Sequence, residues 1–311
     1  MDAYIAIDVG GTLLRAGLYL PDCEKPLNII RIATSVKGES TTDRLLNLIQ
    51  DIWPADYTVK AIGLAAPGFL EPEKGLVVSA PNVPGWKDLP LCGIIQNRFN
   101  VPVFLGNDAN MAALGEWRFG AGKGHSNLLY LTISTGIGGG IIANNKLLQG
   151  SQGLAGELGH VLVQPDGPMC SCGKRGHLEA LSSGTGISNY VAEKIADGET
   201  TCLAPNLHPS AREIAAAALQ GDTLSLQAYQ QAGRYLGIAV ANFLHILNPS
   251  ILILGGGVSR SGDLLINPMR ASLSQNVVLP EYVDNLIITR NQLGDDPGLL
   301  GAFTLAQSSI G

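Results

Sequence analysis

Two glycine-rich stretches decide the fold of this chain, Asp8-Val9-Gly10-Gly11-Thr12 and Ser134-Thr135-Gly136-Ile137-Gly138-Gly139-Gly140. Apolar strands are predicted on both sides of each stretch, so a unit of strand, glycine-rich turn and strand occurs twice. The first unit is a β-hairpin of residues 4–8 and 13–19, and the second begins with a strand at 128–132. This recurrence indicates a two-lobed ATPase in which each lobe offers one backbone turn to nucleotide phosphates.

Glycine suits a phosphate-binding turn because no Cβ atom keeps the backbone N–H groups away from the ligand. Gly10, Gly11 and Gly136 meet this requirement, and Thr12 and Thr135 add hydroxyl donors. For any one of these turns alone, a plain hairpin turn is the alternative interpretation. Neither stretch fits the Walker pattern or the dinucleotide fingerprint.

Two further features support the phosphate-binding interpretation. Asp8 lies at a predicted strand end, where its carboxylate could hold Mg²⁺ directly or through water. A third glycine turn, which contains Gly256, follows the predicted buried strand Ile251–Leu254. We therefore expect three glycine turns that each follow an apolar strand.

The bulk composition favours a compact α/β enzyme. The chain has 311 residues, of which 46% are hydrophobic and 39 are glycine, so we expect two lobes with a cleft between them. The net charge of −6, with scattered Lys and Arg, argues against nucleic acid and anionic lipid as partners. The N-terminus lacks the basic region of a signal peptide, and the uncharged stretches 127–145 and 237–258 are interrupted by glycine or proline. We expect a cytoplasmic protein that does not enter a membrane.

Asp108 is the candidate catalytic base. It follows a predicted buried strand and begins a predicted helix, which places it at the mouth of a sheet. Phosphoryl transfer needs a carboxylate that accepts the proton of the attacking hydroxyl, and Asp108 suits that role. The alternative is an ordinary helix N-cap. Glu157 and His160 would lie one turn apart if their segment were helical, although they could also be an exposed pair.

Four potential metal ligands lie within 18 residues, namely His160, Cys170, Cys172 and His177. Thiolate and imidazole are the ligands that tetrahedral Zn²⁺ prefers, and four of them in one glycine-rich loop predict a closed structural zinc site. The spacing matches no zinc finger or ribbon. Free thiols with two unrelated histidines are the alternative interpretation. The remaining cysteines lack such neighbours and are predicted to be unliganded: Cys23, Cys92 and Cys202.

These motifs together resemble the ROK family of sugar kinases and repressors, over nearly the whole chain. The residues 8–12 with Arg15 are similar to the family's first phosphate motif, and 132–140 to its second. Asn107-Asp108-Ala109-Asn110 resembles its catalytic motif. Glu157-Leu158-Gly159-His160 and the stretch 170–179 resemble its sugar-binding and zinc motifs.

The resemblance implies the actin-like ATPase fold, which is ribonuclease H-like, with a zinc-binding loop at 160–177. The first lobe would comprise 1–115 completed by a C-terminal helix at 296–311, and the second lobe 116–295. ATP, Mg²⁺ and Zn²⁺ would be the cofactors, and a homodimer the assembly. The implied hexose-binding residues are Gly68, Asn82, Asn107, Asp108, Glu157, His160 and Glu179. His177 replaces the family's usual third cysteine, which gives a ligand set of two His and two Cys.

The activity that the resemblance implies is phosphorylation of a hexose by ATP. Residues 81–86 are most similar to those of the family's glucokinases, which favours glucose 6-phosphate as the product. Fructose, mannose and N-acetylmannosamine are alternative acceptors, and polyphosphate is an alternative donor. Some family members are repressors with a DNA-binding domain ahead of this fold. A repressor is therefore the runner-up from another class, but because the first strand begins almost at Met1, we expect no such domain. A sugar-sensing regulator without catalysis is a further alternative.

Overall fold

The chain contains both strands and helices, as predicted for an α/β protein, in a computed structural model that describes residues 1–203, 208–294 and 296–310. The strands are β1 Asp2–Val9, β2 Leu13–Tyr19, β3 Asn28–Ala33, β4 Thr58–Ala66, β5 Phe69–Glu71, β6 Leu76–Ser79, β7 Lys87–Leu89, β8 Val103–Asn107, β9 Leu128–Ile133, β10 Ile137–Ala143, β11 Lys146–Leu147, β12 Ile251–Gly255 and β13 Ile287–Arg290. The helices are α1 Thr41–Ile52, α2 Leu91–Phe99, α3 Asp108–Phe119, α4 Leu178–Ser182, α5 Gly184–Ala196, α6 Ala211–Leu219, α7 Thr223–Leu247, α8 Asp263–Asn276, α9 Glu281–Asp284 and α10 Pro297–Ser308.

The first sheet has five strands in the order β3-β2-β1-β4-β8. β1 pairs antiparallel with β2 and parallel with β4, and β4 pairs parallel with β8. The register places Asp8 opposite Ala65, and Ala66 opposite Asn107. Asp8 and Asn107 therefore lie at the same carboxyl edge, which is where open α/β sheets place their ligands.

The second sheet repeats this arrangement. Its order is β11-β10-β9-β12-β13, so in both sheets the first strand in chain order is central, the next two lie on one side and the last two on the other. β12 pairs parallel with β9 and β13, and Gly255 lies opposite Thr132. The predicted recurrence of strand, glycine turn and strand is thus matched by the strand order. A small third sheet, β5-β6-β7, was not predicted, because strands of three or four residues show no clear alternation.

The chain divides into two compact units. Unit 1 comprises 1–125, 140–156 and 291–311, and unit 2 comprises 126–139 and 157–290. The predicted lobes instead assign 116–125, 140–156 and 291–295 to the second lobe. These units are compact parts of the chain and are not shown to fold independently. The predicted domain bounds therefore remain a prediction. Two of those bounds, Asp295 and Gly311, lie outside the described residues.

The core of unit 1 lies where α10 covers β1, β4 and α3. Glycines permit this close packing, since a Cβ atom at Gly301 would lie 1.7 Å from the carbonyl oxygen of Met111. A Cβ atom at Gly63 would lie 1.9 Å from the carbonyl oxygen of Ala302. Phe303 stacks on Tyr19 with ring centroids 4.6 Å apart. The predicted C-terminal helix therefore packs on the first sheet.

In unit 2 the long helix α7 packs along α8. A Cβ atom at Gly237 would lie 2.4 Å from the carbonyl oxygen of Met269, so the two backbones are in close contact. The capping box of Ser210 and Glu213 begins α6. Among the described residues, no helix is both long and apolar enough to cross a membrane.

Candidate functional site

Asp8 lies at the end of β1 in a partly buried polar cluster of unit 1. Its Oδ2 accepts a hydrogen bond from Arg15, with a 3.3 Å separation, and Arg15 also lies 3.7 Å from Asp296 Oδ1. A Cβ atom at Gly298 would lie 3.3 Å from the Asp8 carboxyl, so the start of α10 closes one side of the cluster. Burial raises the pKa of Asp8 to about 6, although Arg15 opposes this rise.

The first glycine turn is held from within unit 1. The N–H of Gly10 donates to the carbonyl of Leu13 at 2.9 Å, and the hydroxyl of Thr34 donates to the carbonyl of Gly10 at 2.6 Å. A Cβ atom at Gly11 would lie 3.5 Å from Asn82, which is ordinary contact. Neither glycine has a positive φ angle. The turn itself therefore does not require glycine at Gly11, and the structure brings Asn82 beside it.

Asn107, and not Asp108, caps helix α3. The Oδ1 of Asn107 accepts hydrogen bonds from the N–H groups of Ala109 at 3.0 Å and Asn110 at 3.3 Å. Asp108 is exposed in the first helical turn, where its Oδ1 accepts from Ala109 N–H at 2.8 Å. The alternative interpretation of Asp108 as the N-cap is wrong. A carboxylate here is favoured by the partial positive charge of the helix N-terminus.

Gly68 is brought to Asn107 by the turn after β4. The Nδ2 of Asn107 donates to the carbonyl of Gly68 at 3.4 Å. Gly68 has a φ of +90°, and a Cβ atom there would lie 2.2 Å from the carbonyl oxygen of Ser79. Glycine is therefore required by the backbone at this position.

The second and third glycine turns lie at one edge of the sheet within unit 2. Gly256 has a φ of +84°, and a Cβ atom there would lie 2.2 Å from the carbonyl oxygen of Ile133. A cavity of about 910 Å³ opens beside the two turns. Its lining includes Ser134, Thr135, Gly184, Arg212, Gly257 and Arg260. The volume suits a small-molecule ligand, and sequence reasoning found only the turn residues among these.

Glu157 precedes a short 3₁₀ turn that His160 ends, so the two residues are not one turn apart on an α-helix. The turn spans Leu158–His160, and Glu157 precedes it. The Nε2 of His160 lies 3.9 Å from Oε2 of Glu157. Burial raises the pKa of Glu157, while His160 lowers it and Glu179 raises it. A Cβ atom at Gly159 would lie 2.0 Å from the carbonyl oxygen of Ile137, so the turn packs tightly on β10.

The four predicted metal ligands converge in unit 2. One ligand atom from each of His160, Cys170, Cys172 and His177 lies within 4.8 Å of all the others. The Nδ1 of His160 lies 3.7 Å from Sγ of Cys170, and Nδ1 of His177 lies 3.3 Å from Sγ of Cys172. Bonds of about 2.0–2.3 Å to a tetrahedral zinc ion would separate neighbouring ligand atoms by about 3.5 Å, so the donor set fits. Burial lowers the pKa of His177, which favours the neutral ligating form.

The loop that carries these ligands turns back on itself. The N–H of Cys170 donates to the carbonyl of Lys174 at 2.8 Å, and that of Gly173 to the carbonyl of Cys170 at 2.9 Å. Gly176 has a φ of +73°, and a Cβ atom there would lie 1.6 Å from the carbonyl oxygen of Gln164. Cys92 lies apart from this loop, in unit 1, and burial raises its thiol pKa to about 12.

The structure thus assembles the sequence-predicted residues in two groups. In unit 1 these are Asp8 with Arg15, Gly11 with Asn82, and Asn107 with Gly68; in unit 2 they are the glycine turns and the metal-ligand cluster with Glu157 and Glu179. Sequence reasoning missed Thr34, Asp296 and Ser171. For Asp296 the sequence contained a weak indication, because this residue precedes Pro297 at a predicted helix start. Thr34 and Ser171 had none.

Residues 4–309 match the ROK family over this whole arrangement. The chain belongs to the ROK family. Among its ROK relatives, a glucokinase from Thermotoga maritima is 37% identical over 99% of this chain and 98% of its own length. A ROK family glucokinase from Streptomyces griseus, solved in complex with glucose and AMPPNP, is 33% identical with a TM-score of 0.79, covering 98% of this chain and 99% of that one. A xylose repressor from Bacillus subtilis is 35% identical over 97% of this chain and 76% of the repressor.

Membership of the ROK family confirms the resemblance drawn from the sequence motifs. The α/β class with mixed sheets is confirmed as well, and the solved ROK structures share the fold of this chain along nearly its full length.

Proposed function

We propose that this ROK protein is a sugar kinase that transfers the γ-phosphate of ATP to the 6-hydroxyl of glucose. The predicted enzyme class is borne out by glucokinase relatives that match along nearly their whole length. The observation that carries the proposal is the position of Asp108, which is exposed at the carboxyl edge of the first sheet while Asn107 performs the capping. Its carboxylate therefore lies at the exposed edge of the sheet, where the proposed reaction would take place.

Asp108 would act as the general base. Phosphoryl transfer asks the protein to position the reactants and to accept the proton of the attacking hydroxyl. The partial positive charge of the helix N-terminus favours a carboxylate at this position. Loss of the carboxylate should therefore lower turnover more than sugar binding.

Sugar recognition would use amide, carboxylate and imidazole groups together. Several such groups around one sugar discriminate epimers, because a misplaced hydroxyl leaves buried polar groups without partners. The proposed hexose-binding residues are Gly68, Asn82, Asn107, Asp108, Glu157, His160 and Glu179. Fructose, mannose and N-acetylmannosamine remain the alternative acceptors.

The nucleotide would bind at the glycine turns. Gly10, Gly11, Thr12, Thr135, Gly136 and Gly256 would contact phosphate, and the cavity beside the turns of unit 2 has room for an adenosine. Arg15 would hold Asp8 in place for Mg²⁺. Bound Mg²⁺ would neutralise charge on the phosphates. Polyphosphate is the alternative donor.

The cluster of His160, Cys170, Cys172 and His177 would hold one structural zinc ion. The donor set and the mutual distances support this assignment. A closed ligand set supplies folding free energy and no open coordination position. Zinc would thereby fix the orientation of His160, which the proposal also assigns to the sugar.

The wider proposal is a cytoplasmic homodimer with the two-lobed actin-like fold and the predicted lobe bounds. The repeated strand order of the two sheets supports that fold. A sugar-sensing regulator without catalysis is the second candidate, because xylose repressors are also relatives. A kinase and a regulator would both bind sugar through these polar groups. Only the kinase would release ADP, so turnover distinguishes the two functions.

The decisive experiment is an ADP-release assay with MgATP and a panel of glucose, mannose, fructose and N-acetylmannosamine. We expect turnover that depends on sugar and is fastest with glucose. Preference for another hexose would overturn only the substrate assignment. No turnover with any sugar or with polyphosphate, from protein that binds glucose in a calorimeter, would overturn the kinase in favour of the regulator.

A further inference from the structure

The carboxylate of Glu179 joins two parts of unit 2 that the proposed function treats separately. Its Oε2 accepts a hydrogen bond from the backbone N–H of Ile137 at 2.9 Å, next to the second glycine turn. Its Oε1 accepts from the hydroxyl of Ser171 at 2.8 Å and lies 3.5 Å from Sγ of Cys170. One side chain thus connects the nucleotide turn to the loop of the metal-ligand cluster.

The side chain of Glu179 also lies close to Gly136. A Cβ atom at Gly136 would lie 2.4 Å from Oε2 of Glu179, so the flexible end of that side chain would have to move. Glycine at position 136 therefore lets the carboxylate of Glu179 lie against the turn in its present position.

The other side of the turn is held by the residues that follow α4. The N–H of Gly184 donates to the carbonyl of Ser134 at 2.7 Å, and that of Thr185 to the carbonyl of Thr135 at 3.2 Å. Ser183 caps α5 within the same short segment. The segment 179–185 consequently supports the turn at three points, and at one of them the side chain of Glu179 also contacts the loop 160–177.

We infer that Glu179 is a positioning residue for the nucleotide, which ties the turn at residues 134–137 to the loop at 160–177 in addition to its proposed sugar contact. The inference rests on the proposed binding of ATP at this turn. Backbone N–H groups bind phosphate more tightly when the turn is already oriented, because ordering the turn on binding reduces affinity. Nucleotide affinity should therefore depend on Glu179 even when no sugar is present.

Binding of AMPPNP with Mg²⁺, measured by calorimetry without sugar, tests this dependence. Glu179→Ala and Glu179→Asp should weaken binding about tenfold, since one removes the acceptor and the other is too short to span both partners. Glu179→Gln should restore affinity to within about twofold, because its amide can accept from Ile137 and donate to Ser171. A residue with only a sugar contact would give none of these changes.

Ser171→Ala isolates the link to the loop, and Lys174→Ala is its control because Lys174 is exposed in the same loop. We expect a loss of about threefold for Ser171→Ala and no change for Lys174→Ala, with zinc content measured in every variant. Unchanged affinity in Glu179→Asp and Ser171→Ala, in chains that keep their metal, would overturn the inference alone. A wild-type chain that binds no nucleotide would overturn the proposed function as well.

Discussion

At the scale of single residues, the chemistry depends on carboxylates whose surroundings differ. Asp8 is partly buried beside Arg15 and Asp296, whereas Asp108 is exposed in the first turn of α3. Asn107 provides the cap that Asp108 would otherwise provide. Neighbouring residues therefore divide the structural and the proposed catalytic roles between them.

Asp8 makes stability depend on pH in the nucleotide-free and Mg²⁺-free protein. Burial raises its pKa to about 6, above the ordinary value of about 3.9, so the folded chain holds its proton more tightly than the unfolded chain. The free energy of unfolding should therefore fall as pH rises from about 4 to about 6, by up to about 3 kcal/mol from this group. Asp8→Asn should remove this contribution and raise the melting temperature at pH 7.

Thermal unfolding of both proteins between pH 4 and pH 8 checks this prediction. The difference in melting temperature should be small near pH 4 and largest above pH 6. A variant that is less stable than the wild type at pH 7 would contradict the assignment, since it would mean that the charged form of Asp8 stabilises the fold.

At the scale of elements, the close contact of α10 with α3 is made by glycine. Gly301→Ala would place a Cβ atom 1.7 Å from the carbonyl oxygen of Met111 and should lower the free energy of unfolding by about 1–3 kcal/mol or more. Gly93→Ala in α2 is the matched control. Apart from its own helical backbone and chain neighbours, nothing lies within 4 Å of its added Cβ, so the substitution should stabilise the chain by about 0.5–1 kcal/mol. Chemical denaturation measures both, and equal effects would contradict the packing argument.

The stability of the metal-ligand loop at 160–177 can also be tested. Removal of metal by a chelator should lower the melting temperature, because a structural zinc ion contributes to folding. His177→Cys should keep one zinc ion per chain, since thiolate and imidazole are both zinc ligands, whereas Cys172→Ala should lose it. Metal analysis of the purified proteins measures the ratio. A wild-type chain without bound zinc after expression in zinc-supplemented medium would contradict the zinc site.

At the scale of the whole molecule, the two glycine-rich units predicted that a unit of strand, turn and strand would occur twice, and the repeated strand order of the two sheets matches this prediction. The prediction was possible because each unit is a local pattern of about 20 residues. Contacts between distant residues left no such pattern. Arg31 and Asp296 are 265 positions apart, and Glu179 reaches Ile137 across 42 positions. The residue types of the candidate site were visible in the sequence, whereas the partners that orient them depend on tertiary contacts that only the structure supplies.

The role of Asp108 is tested by comparing wild-type protein with Asp108→Asn, using glucose-dependent ADP release for turnover and calorimetry for glucose affinity. With Asp108 as the general base, the variant should bind glucose within a few-fold of the wild type but turn over about 10²–10⁴-fold more slowly, because the acceptor hydroxyl loses its base. The conservative substitution keeps the size of the side chain, so folding should be preserved. Turnover close to that of the wild type would remove Asp108 from its catalytic role.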